Sequence, residues 1–316
     1  MIEVALIFPG QGAQFVGMGK EFYETSPQAK SVFDAADKVI QGLSSVLFNG
    51  PAEKLTSTRY CQPGIFTYSI AAYEALKAHP KFKSIHPKFA CGLSLGECTA
   101  VCAAGALSFE DALKMVERRA TFMEEACRLK KGAMAAVIGF PAKGGSASGG
   151  DKDALMAICK ETGAQVANFN SPDQIVITGE AANVEAASVK IKEAGAKRVI
   201  PLDVGGAFHS SLMRPAVPKF EAELNKFIFK PPQFAVVSNV DGRPSIDPKQ
   251  THQNLAKQIT SSVQWVMSVE NIARAGVKTF LEIGPGTVLK GLIRKINPEL
   301  IVYSIQKPND LDVLPF

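Results

Sequence analysis

The 316-residue chain has little of what would place it in several broad classes. Its six cysteines, Cys61, Cys91, Cys98, Cys102, Cys127 and Cys159, form no Cys-x-x-Cys pair, and its four histidines do not cluster with them. That spacing argues against a structural zinc site. Several of these cysteines lie in apolar context, so buried reduced thiols and a reducing compartment are expected. No run of basic residues is interleaved with aromatics, and the formal charge is only +5, so a nucleic-acid groove is not supported. The same mild bias suits an acidic partner or a phosphorylated cofactor. No apolar run is long enough to span a bilayer. The first eight residues lack a basic region and read as a core strand rather than a signal peptide. A transit peptide cleaved upstream of Met1 is compatible with this reading. No internal repeat stands out.

What is present is ordinary globular composition, 46% hydrophobic and 21% charged. At this length one large domain with an insertion, or two domains, is expected. Residues 4–8 read as a buried strand ended by Pro9-Gly10-Gln11-Gly12, with helical patterns over 20–23 and 29–40. A helix over 65–78 is expected after the turn-forming Gln62-Pro63-Gly64, and Ser108-Phe109-Glu110-Asp111 reads as a capping-box start for a helix to about 127. The middle of the chain then changes rhythm: strand 133–138, helix 151–162, strands 165–169 and 174–178, helix 181–194, strand 198–204. That order, βαββαβ, is the ferredoxin-like signature. It predicts a small inserted subdomain over 130–204, with 1–129 and 205–316 forming a larger α/β subdomain. Residues 143–150, Gly- and Ser-rich, are expected to be a flexible surface loop. Strands over 235–239 and 279–283 follow, and alternating strands and helices imply a mostly parallel sheet covered on both faces.

The most informative stretch is Gly92-Leu93-Ser94-Leu95-Gly96, preceded by the apolar Phe89-Ala90-Cys91 and followed by a small-residue segment suited to a helix. Strand, tight turn, serine, helix is the context of a nucleophile elbow. The glycines permit a sharp turn and close approach. A helix N-terminus favours the negative charge that acyl transfer develops on a carbonyl oxygen. The alternative is a glycine-rich turn with an incidental serine.

A nucleophilic serine needs a base. His79 and His86 lie in a Lys/Pro-rich stretch, and His252 sits among Gln, Asn and Lys, so all three read as solvated. His209 follows Gly205-Gly206-Ala207-Phe208, just beyond a predicted strand, where small neighbours allow close approach. It is the candidate base; a structural loop histidine is the other reading. Pro9-Gly10-Gln11-Gly12 fits neither phosphate-loop template. It is either a simple turn or the source of a second oxyanion donor near Gln11, beside the N–H of Leu95. On a helical projection Arg118 shares the polar arc, whereas Arg119 falls among Met115, Val116, Phe122, Met123 and Ala126. An unpaired charge there costs on the order of 3–5 kcal/mol. Arg119 therefore pairs either with a structural carboxylate or with a carboxylate on a ligand, held by its planar fork.

Several motifs coincide in order: Phe8-Pro9-Gly10-Gln11-Gly12, Gln62-Pro63, Gly92-Leu93-Ser94-Leu95-Gly96-Glu97, Ala133-Met134-Ala135-Ala136, Asn168-Phe169-Asn170-Ser171-Pro172, Ala207-Phe208-His209-Ser210, Val263-Gln264-Trp265 and Glu282-Ile283-Gly284-Pro285-Gly286. Over nearly its whole length the chain resembles the malonyl-coenzyme A:acyl carrier protein transacylases of type II fatty acid synthesis. The resemblance implies a hydrolase-like α/β subdomain with a ferredoxin-like one, and ping-pong transfer of malonyl from malonyl-CoA to the phosphopantetheine thiol of acyl carrier protein. It implies Ser94 as nucleophile, His209 as base, Gln11 and Leu95 at the oxyanion hole and Arg119 on the malonyl carboxylate. It further implies that a main-chain carbonyl at Gln258 orients the histidine, and that Asn168 and Asn170 lie near the coenzyme A cleft. No bound cofactor, metal, nucleic acid or membrane is implied, and a monomer is expected. Two positions depart from the common pattern. Leu93 stands where many bacterial members carry His and, with Gly206-Ala207-Phe208-His209, looks like plastid-targeted members, which suggests a stromal enzyme if the source is eukaryotic and a cytoplasmic one otherwise. Cys98 stands where Tyr is common, which bears on packing. A thioesterase or esterase sharing the elbow, and a non-catalytic carrier-binding protein, are the competing readings.

Overall fold

Strand β1 (Ile2–Phe8) is buried from Val4 to Phe8, which is why it reads as an unbroken apolar run instead of an alternating one. In this computed structural model, which describes residues 1–142 and 150–316, β1 pairs in parallel with β2 (Ile85–Gly92) on one side and β9 (Thr279–Ile283) on the other. Strands β7 (Ala235–Val237), β8 (Pro244–Ser245) and β10 (Ile301–Ile305) complete a six-stranded sheet of order β10-β9-β1-β2-β7-β8. Only β8 runs antiparallel to its neighbour. Helices cover both faces, and the apolar core divides into two clusters on either side of β1: Val4, Leu6 and Phe8 face one, Ala5 and Ile7 the other.

Strands β3 (Gly132–Ile138), β4 (Gln165–Ser171), β5 (Gln174–Glu180) and β6 (Arg198–Pro201) form a second, wholly antiparallel sheet of order β4-β5-β3-β6. Helices Lys152–Thr162 and Ala181–Glu193 connect them, giving βαββαβ in the ferredoxin-like order, with a core of its own around Leu155, Ile177, Ala187 and Ile191. Asp151 caps the first of these helices, its side chain accepting from the N–H of Ala154. Apart from Gly150, the loop expected over 143–150 lies outside the described residues.

Two elements differ from expectation. The strand predicted over 198–204 stops at Pro201; the N–H of Leu202 still donates to the oxygen of Met134 at 2.9 Å, and residues 202–206 then become a loop. The turn expected at Gln62-Pro63-Gly64 is instead inside a helix that runs Thr58–Ala78. This segment is buried on every side from Cys61 to Tyr73, and a Cβ on Gly64 would stand 3.1 Å from Leu47 and Met18. Tertiary packing there outweighs the backbone hydrogen bond that proline removes. The expected helix start is found at Phe109–Leu129, where Ser108 Oγ accepts from the N–H of Asp111 at 3.1 Å, the N-cap half of the box. All six cysteines are unpaired. No helix of the described residues is long and apolar enough to cross a membrane.

Candidate active site

The chain leaves β2 through Gly92 and Leu93 and enters helix Leu95–Ala103, with Ser94 at the corner. Ser94 has φ 55° and ψ −98°, a conformation disfavoured for a residue with a side chain. The glycines are steric necessities. A Cβ on Gly92 would stand 2.3 Å from the backbone of Gly96, one on Gly96 2.1 Å from the oxygen of Phe8, and one on Gly10 2.5 Å from the oxygen of Leu93. The β2–helix corner is thus pressed onto the end of β1. Asn239, just beyond β7, braces it: its Oδ1 accepts from the N–H of Ser94 at 2.7 Å and its Nδ2 donates to the oxygen of Gly92 at 2.8 Å.

His209 comes to the same point from 115 residues away. Its Nε2 lies 2.7 Å from Ser94 Oγ. Its Nδ1 lies 2.9 Å from the main-chain oxygen of Gln258 and 3.1 Å from that of Ser261. Carbonyl oxygens only accept, so Nδ1 carries the proton and Nε2 is left to accept from the serine hydroxyl. His209 is also held at positive φ, 57°. Burial pulls its pKa down to about 4; the charge of Arg119 adds to this and the two carbonyls oppose it. The ring is therefore neutral at neutral pH, with the Nε2 lone pair facing the serine hydroxyl.

Arg119 is 1% exposed on the inner face of its helix. Among the described residues its partners are two side-chain amides and the serine hydroxyl, with no carboxylate in hydrogen-bond contact. Nη1 donates to Oε1 of Gln62 at 2.6 Å, and Nη2 donates to Oε1 of Gln258 at 2.8 Å and to Ser94 Oγ at 3.0 Å. Its Nε has no partner among the described residues. The guanidinium thus sits against the serine hydroxyl, while Arg118 is exposed beside Glu117.

A cavity of about 1060 Å³ opens over this centre. Gln11, Ser94, Leu95 and His209 line it. The backbone N–H groups of Gln11 and Leu95 make no hydrogen bond among the described residues. Both are therefore free to receive an oxygen there. The wall across from the elbow comes from the second sheet, where Asn168 and Asn170 line the cavity from β4, and Asn170 Oδ1 is buried without a partner among the described residues.

The other histidines are elsewhere. His79 caps a short 3₁₀ turn, His86 is exposed, and His252 packs edge-on against Phe229. Three polar neighbours of the centre were not singled out from sequence: the side chains of Gln62, Asn239 and Glu97. Gln62 and Glu97 stand inside the quoted motifs, and Asn239 is a polar residue directly after an apolar strand, which is the available signal. Among the described residues no cluster of three or more His, Cys, Asp or Glu could hold a metal ion.

A parallel sheet presenting a strained serine at a helix N-terminus, with a neutral imidazole on its hydroxyl and free N–H groups beside it, is the apparatus of a serine-type acyl transfer enzyme. The family model described as the acyl transferase domain matches residues 5–299. The chain is 43% identical to the malonyl CoA-acyl carrier protein transacylase of Bacillus subtilis, over 99% of this chain and 96% of that protein. It is 39% identical to the protein of the same name from Staphylococcus aureus, over 98% of both. The fold is similar, with a TM-score of 0.90, 35% identity and 98% coverage of both chains, to a malonyl-transacylase solved in complex with its type II polyketide acyl-carrier protein. The chain belongs to the acyl transferase family and, within it, to the malonyl CoA-acyl carrier protein transacylases.

Proposed function

We propose that this chain transfers malonyl from malonyl-CoA to the phosphopantetheine thiol of acyl carrier protein, through a malonyl ester on Ser94. His209 Nε2 takes the proton of Ser94 Oγ as the oxygen attacks the thioester carbonyl. The carbonyl oxygen becomes an oxyanion facing the N–H groups of Gln11 and Leu95. The C–S bond breaks, and coenzyme A leaves with the proton from His209. The carrier thiol then gives its proton to His209, attacks the ester, and Ser94 recovers its hydrogen as malonyl departs. Arg119 receives the malonyl carboxylate, with its amide contacts and its Ser94 contact available for exchange. The carbonyl of Gln258 holds the base in one tautomer, so the centre needs no triad carboxylate. The cycle needs no bound cofactor, because the pantetheine groups belong to the substrates.

The observation that carries this reading is the meeting of a buried, carboxylate-free guanidinium with the serine hydroxyl at 3.0 Å. A simple esterase has no use for a cation placed where a diacid half-ester would end. The two activities separate on how the acyl-enzyme is resolved. With malonyl-CoA and purified enzyme, free malonate is expected to accumulate slowly without carrier protein, and malonyl carrier to form rapidly when it is added. Malonate release at the same rate in both arms makes the protein a thioesterase.

Residues 130–204 are taken as the small subdomain and 1–129 with 205–316 as the large one, a division supported by the two sheets. A monomer is the expected state. Leu93 and the run at 206–209 support a plastid placement, but the relatives reported above are bacterial, and a cytoplasmic enzyme of bacterial type is the reading we prefer.

A further inference from the structure

Glu97 is a fully buried carboxyl that the transfer steps leave unused. It lies behind the nucleophile, on the first turn of helix Leu95–Ala103. Its Oε2 accepts from Gln258 Nε2 at 2.6 Å and from the N–H of Asn239 at 3.1 Å. Gln258 therefore does three things at once. Its main-chain oxygen accepts from His209. Its Oε1 accepts from Arg119 at 2.8 Å, and its Nε2 donates to Glu97 and, at 2.9 Å, to the main-chain oxygen of Ser94.

We propose that Glu97 is a positioning residue for acyl-group selectivity, acting on Arg119 through the side-chain amide of Gln258. This rests on the transacylase reading above. The argument is one of donors and acceptors. Glu97 Oε2 is already the acceptor for the N–H of Asn239, so the amide turns its NH₂ to that oxygen and its own oxygen to the guanidinium. The flipped amide would set donor against donor at Arg119 and acceptor against acceptor at the main-chain oxygen of Ser94 and at Glu97. Arg119 would then keep only Gln62 and the Ser94 hydroxyl. In its ionised form Glu97 also acts on the guanidinium by charge without a hydrogen bond to it, so the Nη groups bond to neutral partners that a substrate carboxylate can displace; a direct ion pair with Glu97 would leave a stronger partner in its way.

The test compares E97Q with wild type using malonyl-CoA and acetyl-CoA, following acyl-enzyme formation by intact mass and KM and kcat separately. Glutamine fills the same space but accepts either amide orientation. Weakening one hydrogen bond to a charged group predicts about a tenfold loss of malonyl-over-acetyl selectivity, carried by KM for malonyl-CoA, with acetyl transfer within about twofold of wild type. A second variant, Gln258→Leu, removes the amide but keeps the main-chain oxygen on His209. It should lose selectivity to the same degree, and it decides alone should E97Q not fold. In an R119A background E97Q should add nothing, because its effect passes through that guanidinium. Selectivity within twofold of wild type in folded E97Q or Gln258→Leu, or an equal loss for both acyl groups, overturns the proposal. Failure of the wild-type enzyme to take up malonyl at all would instead sink the transacylase reading.

Discussion

The cavity has two unlike sides. The floor, at the carboxyl ends of β1, β2 and β7, is bound to itself before any ligand arrives: Ser94, His209, Arg119, Gln258, Asn239 and Glu97 form one connected set of hydrogen bonds. The wall from β4 is not. Asn168 and Asn170 are 6% and 7% exposed, yet Asn170 Oδ1 has no donor among the described residues. A buried polar atom left unpaired costs about 1–3 kcal/mol. The contrast separates two tasks. Reacting groups need fixed geometry, so the floor is preorganised and strained at φ 55° and 57°. On the proposed reading a long polar substrate tail takes up partners on arrival, and Asn170 Oδ1 on the wall is one such partner.

Breaking the floor should have the largest effect. Ser94→Ala is expected to abolish the malonyl-enzyme, read by mass spectrometry of the intact protein, and to lower turnover by about 10⁶-fold. A variant labelled at the normal rate would remove Ser94 from the chemistry. Next is Arg119→Ala, expected to reduce malonyl-over-acetyl selectivity by roughly a hundredfold, since about 3 kcal/mol is at stake when a buried charge loses its partner. Unchanged selectivity in steady-state competition would make this arginine structural only.

The titration of the floor sharpens the comparison further. His209 is pulled down to about 4 by burial, so its acid limb in the pH profile of kcat/KM should lie near pH 4, well below the ordinary histidine value. For stability the sign follows from linkage: a group with a lowered pKa favours the folded state above its unfolded value and loses that contribution as pH falls from about 6.5 to about 4. Glu97, raised to about 7 chiefly by burial, works the other way: its contribution is present in acid and is lost as pH rises through about 7. An acid limb at the ordinary histidine value would contradict the buried, neutral base.

The smallest effect belongs to the wall. Asn170→Ala should raise KM for malonyl-CoA about fivefold and leave kcat within about twofold, at the low end of a neutral hydrogen bond. Because Oδ1 has no partner among the described residues, the melting temperature should not fall. A destabilised variant with unchanged KM would make Asn170 part of the packing and dissolve the contrast between floor and wall.

The elements carrying this site were legible for local reasons. Glycine spacing and an apolar run announce the elbow, and a two-glycine approach announces His209. The helical projection put Arg119 inside. What it meets there was not legible, because its partners arrive from 57 and 139 residues away in sequence. The same holds for Asn239, 145 residues from Ser94. Nor did a carbonyl at Gln258 suggest that its own side chain would bridge Glu97 to Arg119. In the fold, βαββαβ order was readable from alternating patterns. The helix through Pro63 was not, since it depends on burial by segments distant in sequence, and the strand toward 204 was overextended because apolar residues continue past Pro201.

The most direct test is the mass of the wild-type protein mixed first with malonyl-CoA and then with holo carrier protein. The account predicts a single malonyl adduct, mapped by digestion to Ser94, that disappears on addition of carrier as the carrier gains the same mass. No adduct, an adduct on a different residue, or one that the carrier thiol cannot remove would contradict it.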